Sequence, residues 1–519
     1  MKELVFTRSL LPSLRDNADR IGFVDAATGQ TVKFGEHLDR ISRLSHALRT
    51  ELGIAADERV AVLGMNSLPF VELWHACLLG AAVMNPLNLR FSAEELGYVL
   101  NDSGSTVCFV DATFAPLIDA IRDRTPLKRV VLIGSGEGPA DIAYESLLAA
   151  AEPQPAEEPD EESAAVLMYT GGTTGMPKGV VLSQRAEVLN QYHAAMVLPW
   201  DTSAPFLVQT PMFHGATMIG LVGAPMFGTP IVVLPTFSPE ASMVATQTFA
   251  PSSTVLVPTM LGMIVNAPDF RPERLDSLRR IIYGASPMPE VLLSRLLEML
   301  PDCEIVQGYG MTECCTVLTV LSDAEHRRGK RLGSCGRAVP GVQLEIRDED
   351  GNPVPTGEPG EVCARAGNFM TGYLNKPVET AHALRDGWYY SGDVGYLDSE
   401  GYLFLVDRAK DMIISGGENI YSVEVENAIS THPAVLQIAV IGIPHEVWGE
   451  AVHAVCVVRP GHEVTAEDLI AHARTTIAGY KVPRSIDLRS EGLPLSAAMK
   501  VLKRELRAPF WAGKGRTIN

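Results

Sequence analysis

Apolar and polar positions along this chain fall into short, alternating blocks. β-Branched runs at Arg59 to Gly64 (RVAVLG), Thr106 to Val110 (TVCFV) and Arg129 to Gly134 (RVVLIG) read as strands, and between them lie helix-like segments such as Phe70 to Gly80. That alternation predicts an α/β fold with a large, multi-subdomain amino-terminal region of mostly parallel sheets packed by helices. From Arg408 onward the texture turns compact and charged, with strand runs at Leu436 to Ile443 and Ala451 to Val458 and a helical stretch at Ala466 to Ala478. A small, mobile α+β carboxy-terminal domain is expected there, dividing the chain into 1–409 and 410–519. Between Ala151 and Ser163 three prolines and six acids oppose packing and predict an exposed loop.

Composition narrows the function classes. The 519 residues suffice for more than one core, and a formal charge of −19 disfavours a surface dedicated to nucleic acid or anionic lipid, both of which need a basic face. Among the eight cysteines there is no CxxC pair, so free thiols in a reducing cytoplasm are expected, with neither a disulfide nor a structural metal. The first residues break their apolar stretch with Arg8, Pro12 and Arg15 and do not read as an export signal. Between Asp201 and Asp269 the single charged residue is Glu240, yet prolines and glycines from Pro211 to Pro230 interrupt the stretch too often for a membrane-spanning helix of about 20 residues. Short buried helices and strands are expected instead.

The most informative stretch is Tyr169 to Val180, YTGGTTGMPKGV, directly after the apolar run Ala164 to Met168. Gly171, Gly172 and Gly175 let the backbone fold tightly around phosphate oxygens, Thr170, Thr173 and Thr174 add hydroxyl donors, and Lys178 adds charge. A Walker loop needs Gly-Lys followed by Ser or Thr, whereas Lys178 follows Pro177 and precedes Gly179, so a kinase or P-loop ATPase is disfavoured.

The string resembles the signature loop of the adenylate-forming superfamily of acyl-CoA synthetases, firefly-type luciferases and peptide-synthetase adenylation domains. The likeness covers nearly the whole chain, with matching motifs in the same order. It implies ATP, Mg2+ and coenzyme A as cofactor and co-substrates, and a small-molecule carboxylic acid as substrate. In Gln307 to Glu313 (QGYGMTE), Gln307, Gly308, Tyr309 and Gly310 resemble nucleotide-site residues, Thr312 the contact to the α-phosphate, and Glu313 the magnesium ligand. Gly284, Ala285 and Ser286 of YGASP resemble the segment flanking adenine, and Asp393 of WYYSGD the carboxylate that accepts both ribose hydroxyls. Arg408 resembles an arginine reaching the nucleotide, Lys410 takes the hinge position, and Gly416 and Gly417 of SGGENIY are candidate coenzyme A tunnel residues. His214 of PMFHG stands where the family places a gate near the acyl carboxylate, and Lys500 resembles the catalytic lysine. Two departures stand out: Gly171 where the family usually has Ser, and Met499 where it usually has Gly.

The resemblance implies AMP-forming acid:CoA ligation, in which a carboxylate attacks the ATP α-phosphate and a thiol then takes the acyl group. The apolar stretch Phe213 to Met226, the Tyr283 region and Tyr309 to Leu318 lean towards a fatty or other hydrophobic acid, with arylacrylic or benzoic acids second. A luciferase-like oxygenase, a free-standing adenylation enzyme with another acceptor and a nonenzymatic sensor are the alternatives. Oligomeric state stays open, a homodimer included.

Overall fold

The computed structural model describes residues 3–170, 176–408, 411–415 and 418–512, with only the backbone of Asp407, Arg408 and Asn419. Two large sheets dominate. In the first, Arg59–Leu63, Val83–Pro86, Val107–Asp111, Arg129–Ile133 and Ile142–Ala143 run parallel, and Ala164–Thr170 joins them in the same sense. Lys178–Ser183 then turns back antiparallel to Ala164–Thr170. In the second, Ile21–Asp25, Ile231–Val233, Phe206–Val208, Ser253–Leu256, Arg280–Gly284 and Glu304–Tyr309 lie parallel. Thr319–Leu321 and Arg337–Ala338 continue it antiparallel. One apolar core links both sheets, running through Val60, Trp74, Val166, Phe206 and Val233. Strands buried on both faces read as unbroken apolar runs, which is why these were legible as strands.

The helix expected at Phe70 to Gly80 spans Leu68–Leu78, with Pro69 in its first turn where a missing N–H costs no hydrogen bond. The charge-poor stretch after Asp201 holds short elements: a π-helical turn at Ile219–Gly223, Ala224–Met226 and strand Ile231–Val233. Among the described residues no helix is long and apolar enough to cross a membrane. The acidic segment 151–163 has almost no regular structure, but it is tied down: Glu158 pairs with Arg8 and Glu157 with Arg49, while Glu161 accepts the Glu3 and Leu4 amides. It is largely exposed and leads into the buried strand Ala164–Thr170.

A third, antiparallel sheet is built from Gln343–Arg347, Gly360–Arg365, Leu384–Arg385, Trp388–Leu397 and Leu403–Arg408. The last sheet starts at Ile413 and pairs Val435–His445 with Gly449–Val458 in a long antiparallel ladder, with Ser485–Arg489 parallel at its edge. Alternation decides its layers. Val440, Val452, Ala454 and Cys456 face Val425, Ile429 and Leu469 of the helices Ser422–Ser430 and Ala466–Ala473, whereas Ala439, Ile441, Val455 and Val457 face Leu506 of the helix Lys503–Trp511. The helix from Ala466 stops short of Ala478, and the Thr475 and Thr476 hydroxyls bond back to the His472 and Ala473 carbonyls.

Candidate active site

Parallel register brings the sheet's carboxyl ends together. Tyr283 lies beside Gln307 and Gly284 beside Gly308, at the point where the second sheet changes from parallel to antiparallel. Ligands of open α/β sheets collect outside such ends. The two glycines there differ: a Cβ on Gly284 would meet the Gly308 carbonyl oxygen at 2.2 Å, while one on Gly308 would meet nothing within 4 Å. Ala285 follows with φ of 67°, left-handed and strained for a residue with a Cβ. Gln307 is buried, and its amide oxygen accepts the Tyr283 hydroxyl at 3.1 Å.

Two tyrosines hold two carboxylates. The Tyr309 hydroxyl donates to Asp393 Oδ2 at 2.8 Å, and Asp393 is nearly buried in the strand that pairs it with Arg408. The Tyr373 hydroxyl donates to Glu313 Oε1 at 2.9 Å, and the Lys178 ammonium stands 4.5 Å from the centre of the Tyr373 ring. Thr170 and Lys178 face each other across the hairpin that carries the glycine- and threonine-rich loop. Gly171, Gly172, Thr173, Thr174, Gly175, Lys410, Gly416, Gly417 and the Arg408 side chain lie outside the described residues.

The carboxy-terminal segment reaches into the same cleft. The Thr259 hydroxyl donates to the Met499 carbonyl, and Arg90 donates to the Leu495 carbonyl, so the stretch 495–500 is docked on the large region. Lys500 thereby comes close enough to His214 for its charge to act there. His214 is pushed down to about 3, first by burial and next by that ammonium, so its imidazole is neutral at ordinary pH. Its Nδ1 accepts the Ala216 amide at 3.2 Å, which leaves Nε2 as the N–H donor. Beside it, a Cβ on Gly215 would lie 2.8 Å from Thr316 Cγ2 and 3.8 Å from Thr312 Oγ1. The docked segment of Lys500, His214 and the Thr312–Glu313 turn thus lie in one region of the fold.

Behind Thr312 the chain makes a strained turn, with positive φ at Cys315 (54°) and Thr316 (102°). The turn is pinned by the Val317 amide donating to Asn190 Oδ1 at 3.1 Å and by the Asn368 amide donating to the Cys314 carbonyl at 2.9 Å. Asn190 belongs to helix Gln184–Val197, begun by Ser183 accepting the Ala186 amide. Glu187, Asn190 and Gln191 on this helix are fully buried. The Cys315 thiol lies beside Glu187, and burial pushes the Glu187 carboxyl up to about 8.

The AMP-binding enzyme family profile matches residues 12–374, and that of the AMP-binding enzyme C-terminal domain matches 424–500. This chain belongs to the AMP-binding enzyme family. A feruloyl-CoA synthase of Amycolatopsis sp is 37% identical over 93% of this chain and 94% of its own length. A fatty acid–[acyl-carrier-protein] ligase of Streptomyces coeruleorubidus is 33% identical over 95% and 94%. Among solved structures, the o-succinylbenzoate CoA synthetase of Bacillus subtilis, in complex with its acyl-adenylate intermediate, superposes with a TM-score of 0.83 at 29% identity, covering 98% of each chain.

Three features of this AMP-binding enzyme were beyond sequence reasoning. Tyr373 has no motif around it and enters only because the strand Gly372–Tyr373 pairs with Lys178–Ser183. Met499 adopts φ of 60°, a conformation that favours Gly, and its side chain packs against the core of Leu256, Met260 and Ile281. Glu187 carries no motif; its position between Ala186 and Val188 is the one local signal of burial.

Proposed function

We propose that this AMP-binding enzyme is an AMP-forming acid:CoA ligase acting on a fatty or other hydrophobic acid, with aryl acids as the second choice. The observation that carries the reading is the docking of the stretch 495–500 on the large region, which brings the Lys500 charge from the far end of the chain within reach of His214, whose neighbour Gly215 adjoins Thr312. A carboxylate held there would attack the α-phosphorus of ATP, forming an acyl–phosphate bond as the bond to pyrophosphate breaks. Negative charge builds on the α-phosphoryl oxygens and on the leaving pyrophosphate, so fixed donors and cations speed the step. Lys178, Lys500 and the Thr312 hydroxyl fill those roles, and neutral His214 can offer its N–H to the acid without competing for the charge.

Asp393, oriented by Tyr309, suits the two ribose hydroxyls, because an ionised carboxylate accepts two such bonds at once. Glu313 would hold Mg2+, whose need for hard oxygen donors matches a carboxylate oriented by the Tyr373 hydroxyl. The ion, when bound, neutralises phosphate charge. In the second half-reaction a coenzyme A thiolate attacks the acyl carbon and AMP leaves. We assign that step to a reoriented small domain, 410–519, pivoting at Lys410 so that Gly416 and Gly417 line the thiol path.

The fatty acid–carrier-protein relative supports a second acceptor, a carrier-protein phosphopantetheine thiol. Acid-dependent ATP–pyrophosphate exchange tests the first step, and AMP release with coenzyme A or a carrier protein added separately tests the second. Absence of exchange across fatty and aryl acids overturns the reading, while exchange without coenzyme A-dependent AMP release moves the acceptor elsewhere.

A further inference from the structure

The helix Gln184–Val197 presents polar side chains to a wall that is otherwise apolar. Among the described residues, Glu187, Asn190, Gln191, Trp200, Thr316 and Asn368 carry eight buried side-chain nitrogen and oxygen atoms with no nitrogen or oxygen hydrogen-bond partner, including both polar atoms of Gln191 and both oxygens of Glu187, to which the Cys315 thiol is turned. Buried polar groups are nearly always bonded, because each orphaned one forfeits its hydration. So dense a group of exceptions is a feature of the site and not scatter.

These residues converge on the acyl side of the site. Thr316 abuts Gly215, the neighbour of His214, and Cys315 turns its thiol to Glu187. A Cβ on Gly223 would come within 2.6 Å of Gln191 Oε1 and 2.7 Å of Trp200 Cζ2, so glycine there leaves the amide and the indole edge at the π-helical turn Ile219–Gly223. π-Helical turns are rare and concentrate at functional positions. Gly215 and Gly223 bracket the segment that, with the Thr312–Val317 turn, would enclose the acyl group.

We propose that Glu187 and Gln191 form a polar floor to the acyl pocket, and that the acid this enzyme activates carries a hydrogen-bond donor, a hydroxyl or an amino group, on its carbon skeleton away from the carboxylate. The proposal rests on the acid-activation reading and sharpens its substrate class. Glu187 and the Gln191 oxygen accept from that donor, whereas the apolar residues around them hold the skeleton. An acid without the donor leaves the Gln191 amide and the Glu187 oxygens without that bond, and sites that hydrogen-bond a substrate group discriminate strongly against analogues lacking it.

The test compares ATP–pyrophosphate exchange with matched acids: cinnamic acid against its para-hydroxy and para-amino forms, and decanoic against omega-hydroxydecanoic acid. In the parent protein a donor-bearing acid of at least one skeleton should give kcat/KM about tenfold or more above its plain partner, through a lower KM for the acid and an unchanged KM for ATP. Glu187→Leu should bring that ratio near one, while Glu187→Gln, which keeps an accepting oxygen, should hold most of it and show that the site still folds. Equal use of plain and donor-bearing acids by the parent, or a preference that survives Glu187→Leu, overturns the polar floor and leaves acid activation standing. No exchange with any of these acids removes the activation reading and this one with it.

Discussion

At the proposed nucleotide end of the cleft the polar side chains are already bonded to one another, Tyr309 to Asp393 and Tyr373 to Glu313. At the proposed acyl end Glu187 and Gln191 are more deeply buried, yet apart from the Cys315 thiol beside Glu187 their side-chain oxygen and nitrogen atoms find no hydrogen-bond partner among the described residues. The first arrangement prepares a site for a ligand that never varies, since ribose and phosphates are common to every reaction of this type. The second leaves binding energy to be realised with one particular acid. On the proposed reading Lys500 serves both ends, carried by a docked segment rather than by a sheet.

The comparison is broken most severely at that junction. Lys500→Ala should lower acid-dependent pyrophosphate exchange about 10²–10³-fold, the usual loss for one preorganised charge donor. Thioester formation from supplied acyl-adenylate should stay largely intact. If exchange persists near the parent rate, Lys500 is a bystander and the two ends are not joined through it.

Asp393→Ala should raise the KM for ATP roughly a hundredfold, because two charge-assisted ribose bonds together contribute about 3 kcal/mol. Tyr309→Phe, which removes only the orienting bond, should cost about 1 kcal/mol, and the KM for the acid should not follow either change. A rise in both Michaelis constants would show that the ends are coupled.

The acyl end has its own signature in pH. Glu187 is raised from an ordinary 4.5 to about 8, so between those values the folded chain holds a proton that the unfolded chain releases. Its contribution to stability is complete below pH 4.5 and is lost as pH rises towards 8. Glu187→Gln lacks this titration and should gain on the parent by up to about 1.4 kcal/mol per pH unit across that window. Urea unfolding midpoints of parent and variant at pH 5 and pH 8 measure it, and a constant difference would mean that Glu187 is ionised and paired.

Met499→Gly is the mildest change. It relieves a left-handed conformation that costs about 1 kcal/mol but surrenders the packing of Met499 against the apolar cluster that includes Met260 and Ile281. Adenylation should fall roughly fivefold and thioester formation should not. Equal change in both half-reactions would separate Met499 from docking.

The sequence by itself determined whatever depends on local chemistry. Alternating apolar runs announced parallel strands, Lys178 stood out in a glycine- and threonine-rich string suited to phosphate, and the strings around Glu313, Asp393 and Lys500 stood out through their resemblance to a known family. Those strings stay legible because each is contiguous and its ligand chemistry does not change. Tertiary structure decided the rest. Tyr373 joined Glu313 through a two-residue strand, docking brought the Lys500 charge within reach of His214, and an acid in an unremarkable helix became a buried carboxyl beside the Cys315 thiol. Such facts depend on which distant segments fold against each other, and a burial of that kind leaves no mark on the residues beside it.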